Sequence, residues 1–302
     1  MEWIAALGRA INYIEDNLKD ASLTADRIAE EVAISSFYFQ KGFAILTGFS
    51  VGEYIRNRRL YMAALDIAKG TKVIDAALDY GWETPESFTK AFSRFHGTSP
   101  QNVKADTHLI KVFLPLKISV TVNGGNRMNY RVEKLEKFSI IGIRRQFRGE
   151  NSYKEIPAFW DEMYQTYYLK FCDKPEFKDG TTTDPVAKAF KECNIGQFGV
   201  CIEPAVPNGT FDYYIAGVYH GGDVPAGMEV YELPDLTWAK FECIGPLPGA
   251  LQSVNTELYK TWLPTNGKYE IAAGVNVEWY SDEGTPDDAD YRSEIWIPVR
   301  ER

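Results

Sequence analysis

The sequence predicts a multi-domain chain: an all-α domain with two helix-turn-helix units, then an α+β domain of duplicated β-β-α-β units with pseudo-two-fold symmetry. Three observations carry this reading. The 302 residues exceed what one small core organises, since single domains run to roughly 100–200 residues. Up to about Lys104 apolar residues recur at three- and four-residue steps, and the order short helix, turn, capped helix occurs twice. Beyond Leu109 the pattern becomes alternation with β-branched and aromatic residues.

Composition narrows the function classes. Hydrophobic residues at 45% and charged residues at 25% are ordinary globular values, which sets aside a disordered chain or a membrane protein. Met1 to Asn17 carries Glu2, Arg9, Glu15 and Asp16 through its apolar pattern, so it reads as an amphipathic helix and not a signal peptide. Cys172, Cys193, Cys201 and Cys243 form no C-x-x-C pair, which points to reduced cytoplasmic thiols with no metal and no cofactor. A net charge of -9 argues against a protein that coats nucleic acid indiscriminately. The charge is unevenly placed, however. Lys41, Arg56, Arg58 and Arg59 meet one acid, Glu53, between Ile34 and Leu60, and Lys90, Arg94 and Lys104 meet only Glu86 between Thr84 and Lys104.

Ile4, Leu7, Ile11, Ile14 and Leu18 form one helical stripe. A short helix follows from Thr24, with Ile28, Ala29 and Val32 inward, and Ser35 caps a helix to about Leu46 that Gly48 ends. Ser50 and Glu53 make a capping box opening a helix to about Lys69, roughly 28 Å long at 1.5 Å per residue. The second unit runs from Lys72 to Tyr80, turns at Gly81, and restarts where Thr84 caps a helix with Pro85 at its first position; Ser99 and Pro100 start a last helix in the same way. Two such units joined by a stiff helix of this length can enter successive major grooves, about 34 Å apart, which implies a long, non-palindromic site in double-stranded DNA.

Ala29 to Phe43 (AEEVAISSFYFQKGF), Thr47 to Leu60 (TGFSVGEYIRNRRL) and Ala76 to Phe92 (AALDYGWETPESFTKAF), with Phe95, Gly97 and Pro100, resemble the AraC/XylS family of bacterial transcription regulators over the first 105 residues or so. By that resemblance the base-facing positions are Ser36, Phe37, Gln40 and Lys41 on the first recognition helix and Pro85, Glu86, Ser87 and Lys90 on the second. Gln40 suits adenine, Lys41 and Lys90 guanine or phosphate, Phe37 a thymine methyl and Glu86 cytosine. Arg56, Arg59 and Arg94 read as phosphate anchors. Pro85, Glu86 and Ser87 depart from the longer basic or amide side chains often found there, which assigns the second unit more to positioning than to base readout.

The reading sets the DNA-binding domain at 1–108, a linker or β strap at 109–127 and the second domain at 128–302. Ile110, Val112, Phe113, Ile118, Val120 and Val122 carry the strap pattern, ending in the turn cluster Asn123 to Asn126. In the second domain the reading gives strands over Tyr130–Leu135, Phe138–Arg145, Gly199–Ile202, Phe211–Tyr219, Met228–Leu233, Thr237–Glu242, Tyr269–Tyr280 and Glu294–Val299. Its helices cover Ile156–Tyr164 and Leu251–Leu263. A crevice between the two halves is a natural ligand site.

FSIIGIR from Phe138, IPAFW from Ile156, DYYIAGV from Asp212, WLP from Trp262, EWY from Glu278 and IWIPV from Ile295 resemble, in that order, the GyrI-like effector-binding family. Strand alternation groups Glu278, Tyr280 and Trp296 on one surface, with Trp160, Tyr164 and Tyr214 as further candidates. A carboxylate among aromatic rings attracts a lipophilic cation, and the resemblance implies that role for Glu278. The expected protein is a non-enzymatic, ligand-modulated activator that binds a cationic or amphipathic effector and contacts RNA polymerase. Two alternatives stand beside it: a small-molecule hydrolase with Glu278 and Tyr280 as base and acid, and a ligand-independent DNA binder whose second domain is an interaction platform.

Overall fold

The computed structural model describes residues 2–118, 128–149, 152–206 and 208–302. The chain divides into two compact units, Glu2–Val122 and Asn123–Arg302. No helix among the described residues is long and apolar enough to cross a membrane.

The first unit contains α1 (Glu2–Asp16), α2 (Ala25–Glu31), α3 (Ser36–Thr47), α4 (Val51–Ala68), α5 (Val73–Asp79), α6 (Pro85–His96) and α7 (Pro100–Ala105). Local chemistry sets their ends. The side chains of Thr24, Ser35, Thr84 and Ser99 accept from the backbone N–H three residues on, and Ser50 with Glu53 closes the capping box of α4. Gly48 and Gly97 end α3 and α6 in the left-handed region. The core is aromatic: Tyr38, Phe39, Phe43, Tyr54, Phe88 and Phe92 are fully buried.

Residues 110–118 form no strand; they run along this helical unit. Phe113 packs edge-on against Phe49 and Phe95, with centroids 5.5 and 5.9 Å away. The Leu116 N–H donates to the Tyr54 hydroxyl at 3.2 Å, and the Lys111 N–H to His96 Nδ1 at 3.1 Å. Arg58, buried and joined to Glu15 by three hydrogen bonds, also donates to the Phe113 carbonyl. The turn cluster at 123–126 lies outside the described residues.

The second unit is a nine-stranded antiparallel sheet with helices. Its strands are β1 (Tyr130–Leu135), β2 (Phe138–Arg148), β3 (Phe198–Ile202), β4 (Thr210–Val218), β5 (Glu229–Leu233), β6 (Leu236–Ile244), β7 (Tyr269–Ile271), β8 (Val275–Tyr280) and β9 (Arg292–Glu301). The spatial order is β1-β6-β9-β8-β3-β4-β2-β5, with β7 on β9. Exchanging β1 with β5, β2 with β6, β3 with β8 and β4 with β9 reproduces that order reversed, so the duplication is symmetric about the β3–β8 pair. The helices repeat too. α8 (Ser152–Met163) runs through a π turn at Tyr164–Tyr168 into α9 (Leu169–Phe171), and α12 (Gly249–Glu257) through a π turn at Leu258–Trp262 into α13 (Leu263–Thr265). Two further helices, α10 (Pro175–Lys178) and α11 (Pro185–Glu192), belong to the first half alone. The strand read as continuous over Tyr269–Tyr280 breaks between Ile271 and Val275.

The sheet cannot be flat. β1 and β2 stand six strand spacings apart, about 29 Å, yet only Glu136 and Lys137 join them, and three Cα steps reach at most about 11 Å. The sheet therefore rolls until β1, β2, β5 and β6 converge, where the Lys137 N–H donates to Asp235 at 2.7 Å. Inside the roll lies a core of Phe198, Val200, Tyr214, Leu233, Trp238, Val277 and Trp296. α8 packs outside on β2, and α12 on β6 and β9, leaving β3 and β8 as the floor between them.

One backbone feature is testable. Ala33, which follows the Val32 C-cap of α2, sits at φ 56° where the second helix-turn-helix has Gly81 at φ 81°. A left-handed conformation costs an L-residue about 1–2 kcal/mol, offset in part by glycine's greater entropy loss. Ala33→Gly should stabilise the first unit by about 0.5–1 kcal/mol and raise its melting temperature by a few degrees; an unchanged or lower melting temperature contradicts the strain.

Candidate functional site

The first candidate surface is the pair of helix-turn-helix units, α2–α3 and α5–α6, joined by α4. On α6, Glu86, Ser87, Lys90 and Arg94 are exposed and Pro85 is half-buried at the first turn. Ser87 is partly engaged, its hydroxyl donating to the Thr84 carbonyl at 2.9 Å. On α3, Gln40 and Lys41 are half-buried; Gln40 Nε2 donates to Ser36 Oγ at 3.0 Å and Lys41 Nζ lies 5.5 Å from the Phe37 centroid. Arg56 is exposed on α4.

Three readings need correction. Ser36 is buried and its hydroxyl donates to Asp26 of α2, so it ties the two helices together and orients Gln40 where it was read as touching a base. Phe37 is buried, in edge contact with Tyr38 and beneath the Lys41 ammonium, so its ring packs the unit and does not present a face to a thymine methyl. Arg59 is not a phosphate anchor. Its guanidinium donates to the carbonyls of Leu18 at 2.8 Å and Asp20 at 2.7 Å, capping the chain end after α1, and burial lowers its pKa.

The second site stands at the symmetry axis of the α+β unit. In the register, Gly199 of β3 faces Glu278 of β8, with Ile215 of β4 and Ile295 of β9 on either side. The next row on the same face is Tyr213, Cys201 and Asn276, and the row beyond on the other side is Tyr280, Ser293 and Cys243. Tyr213 reaches diagonally across Gly199 to donate to Glu278 Oε2 at 3.2 Å, and Tyr280 donates to the same oxygen at 3.0 Å. Trp160 of α8 donates to the Tyr213 hydroxyl at 2.9 Å and packs edge-on against Tyr280 at 5.3 Å. Gly199 is required here, because a Cβ would lie 2.2 Å from the Tyr213 hydroxyl and 3.1 Å from Glu278 Oε2.

The electrostatics follow. Burial, and next the charge of Glu278, pushes both tyrosine pKa values well up, so both remain hydroxyl donors. Burial, then Glu278, also pushes the Cys243 thiol up to about 12. Among the described residues no ion pair neutralises Glu278: Arg145, opposite Tyr213 on this face, is clamped by Glu162 at 2.9 Å and lies over the Phe159 ring. The half-buried carboxylate has hydrogen-bond donors and, among the described residues, no cationic partner.

Glu278, Tyr280 and Trp160 thus meet at one point. Trp296 and Tyr214 do not. Trp296 pairs with Val277, one step from Glu278, and points into the roll, where Lys240 Nζ lies 3.9 Å from its ring centroid and its Nε1 donates to Glu294 at 2.6 Å. Tyr214 points the same way, its pKa raised to about 12 by burial. The alternation misassigned them because both faces are covered: β4 and β9 each contain five consecutive buried residues, which erases the polar marker of the outer face. Tyr164 is 46% exposed and stacks on Tyr168, with no contact to Glu278 among those described. Tyr213, beside Tyr214 in the same motif, and Gly199 were not among the candidates.

Comparison with known proteins agrees with this division. Residues 131–299 match the family of the integron-associated effector binding protein, Cass2, and residues 28–106 match a helix-turn-helix domain. The helical part is 37% identical over 89 residues to the HTH-type transcriptional activator AarP of Providencia stuartii, covering 29% of this chain and 65% of that one. It is 30% identical over 95 residues to the regulatory protein SoxS of Escherichia coli, covering 31% of this chain and 88% of that one. The chain spans just under two thirds of AarP and of the Tn10 TetD protein, 65% and 64%. Similar solved structures include SAV2435 bound to tetraphenylphosphonium (TM-score 0.44, 24% identity, 57% of this chain and 94% of that one) and an integron cassette protein of Vibrio cholerae (TM-score 0.40, 13% identity, 57% and 95%). The chain belongs to the Cass2 effector-binding family, and its amino-terminal part is an AraC-type helix-turn-helix domain.

Arg59→Ala should destabilise the first unit by about 1–3 kcal/mol, the cost of two orphaned carbonyls, and leave the salt dependence of DNA binding unchanged. Arg94→Ala should reduce that salt slope by about one. Equal effects of both changes on the slope would return Arg59 to the DNA surface. In the second unit, Gly199→Ala should displace the Tyr213 hydroxyl and weaken binding of a cationic dye by about tenfold while DNA affinity holds; unchanged dye binding contradicts the packing of Tyr213 over Gly199.

Proposed function

We propose that this protein is a cytoplasmic transcription regulator that binds promoter DNA through both helix-turn-helix units and is modulated by a small lipophilic cation held at Glu278. One observation carries the effector reading: a half-buried carboxylate on the symmetry axis accepts two tyrosine hydroxyls and has no cationic partner among the described residues. A buried carboxylate left without a counter-charge is costly, and the aromatic groups around it, Trp160, Tyr213 and Tyr280, suit a cation through their ring faces at roughly 0.5–2 kcal/mol each. The unpaired charge and the aromatic wall select the same class of molecule.

DNA recognition rests on Gln40 and Lys41 of α3, with Lys90, Glu86 and Ser87 of α6 adding positioning and Arg56 and Arg94 gripping phosphate. α4, about 27 Å long for its 18 residues, suits two adjacent major grooves on one face of the duplex. Activation through contact with RNA polymerase is the reading for the output. The hydrolase alternative is less favoured: tyrosines whose pKa lies well above the ordinary value serve as fixed donors and are poorly matched to proton transfer near neutrality.

The effector reading is tested by titrating the intact protein with N-methylacridinium, a permanent lipophilic cation, and following tryptophan fluorescence. Glu278→Gln keeps the shape and removes the charge, and should weaken binding by about tenfold or more. Affinity unaltered by Glu278→Gln overturns the site. If the dye is an effector, it also shifts promoter affinity, and promoter DNA shifts dye affinity by the same factor.

A further inference from the structure

Beside Glu278 lies a second polar group that the cation site alone does not use. Asn276 is on β8 two residues before Glu278, on the same face, and is 1% exposed. Its Nδ2 donates to the Trp296 carbonyl of β9 at 3.3 Å. That bond commits the amide nitrogen to β9 and leaves the oxygen on the other side of the amide. Oδ1 has no hydrogen-bond partner. An acceptor buried in this way costs about 1–3 kcal/mol, and a leucine of the same size would fill the position without that cost.

The other orphaned atoms have different settings. Trp238 Nε1 lies within the roll, and Ser293 Oγ faces the Cys243 thiol across the β6–β9 pair. Ser293 also occupies a row next to the carboxylate, but on β9; Asn276 is the one of the three on β8, the strand that carries Glu278. Glu278 is arranged to complement it. Both tyrosine hydroxyls go to Oε2, and no hydrogen bond from a described residue reaches Oε1. Two unpaired acceptors, Glu278 Oε1 and the buried Asn276 Oδ1, therefore belong to residues on one strand face, whose Cα atoms are one i to i+2 step or about 7 Å apart.

We propose that Asn276 is a specificity-determining residue, and that the ligand of this site is a cation carrying its own N–H donors, of the aromatic amidinium or aminoheterocycle class, in preference to an onium ion without donors. This rests on the reading of Glu278 as the cation site. A site with a buried acceptor rejects an analogue that lacks the matching donor, because the acceptor is then left unpaired.

The test compares two flat cations of similar size on the intact protein, aminoacridinium, which has N–H donors, and N-methylacridinium, which has none. Wild type should prefer aminoacridinium by about tenfold. Asn276→Leu should abolish that preference by weakening aminoacridinium alone, while the melting temperature stays level or rises. Asn276→Thr, which keeps an oxygen on the same face and favours a strand, should retain part of the preference. Equal affinities in wild type, a loss shared by both dyes in Asn276→Leu, or a melting temperature lowered by several degrees overturns the proposal, the last by marking the amide as structural. Glu278→Gln separates the two readings: it weakens both dyes if the cation site is right, whatever Asn276 does, and leaves both unchanged if that site is wrong.

Discussion

The second domain is organised around one carboxylate. Glu278 sits where two copies of one β-β-α-β plan meet, on a strand pair that belongs to neither half alone. Its negative charge is accommodated by two tyrosine hydroxyls on one oxygen, and the geometry of both tyrosines depends on neighbours: Tyr213 on the bare Gly199 and the Trp160 indole, Tyr280 on the edge of that same ring. A carboxylate this confined is unstable without either a counter-ion or donors. The described residues supply donors, and in the function proposed here the counter-ion is the ligand.

The rolled sheet makes that possible. Two-residue links from β1 to β2 and from β5 to β6 force the sheet ends together, so the large apolar residues have an interior of their own around Trp238 and Trp296. The outer face of β3 and β8 is thereby released from forming the main core. It can hold a glycine, an asparagine and a glutamate where another sheet would need leucines. The helices that flank it each pass through a π turn at equivalent places, an irregularity that occurs often at functional sites.

Much of the fold was legible because its determinants are local. Ser35, Ser50 with Glu53, Thr84 with Pro85, Gly48 and Gly97 act within one helical turn, and each behaves as its residue type and spacing imply. The site was legible in part. Glu278, Tyr280 and Trp160 do lie together, but Trp296 and Tyr214 were placed on the wrong face, because a strand buried on both sides carries no alternation from which to read its parity. Tyr213 was missed by one residue for the same reason. Gly199 gave no signal at all, since its role is to leave room for a hydroxyl from another strand. The DNA surface has the same limit: Arg59 looks like a basic anchor until the chain end after α1 brings Leu18 and Asp20 to it, and Ser36 looks free until α2 brings Asp26.

In the function proposed here, charge, and not shape or greasiness alone, is what the arrangement at Glu278 recognises. The most direct measurement compares one scaffold in two charge states on the wild-type protein: N-methylacridinium and neutral acridine, at mildly alkaline pH where acridine is unprotonated. The cation should bind at least about tenfold more tightly, and added salt should narrow the gap only slightly, because the carboxylate is partly buried. Equal affinities would contradict it, and would reduce the aromatic groups around Glu278 to an ordinary apolar crevice.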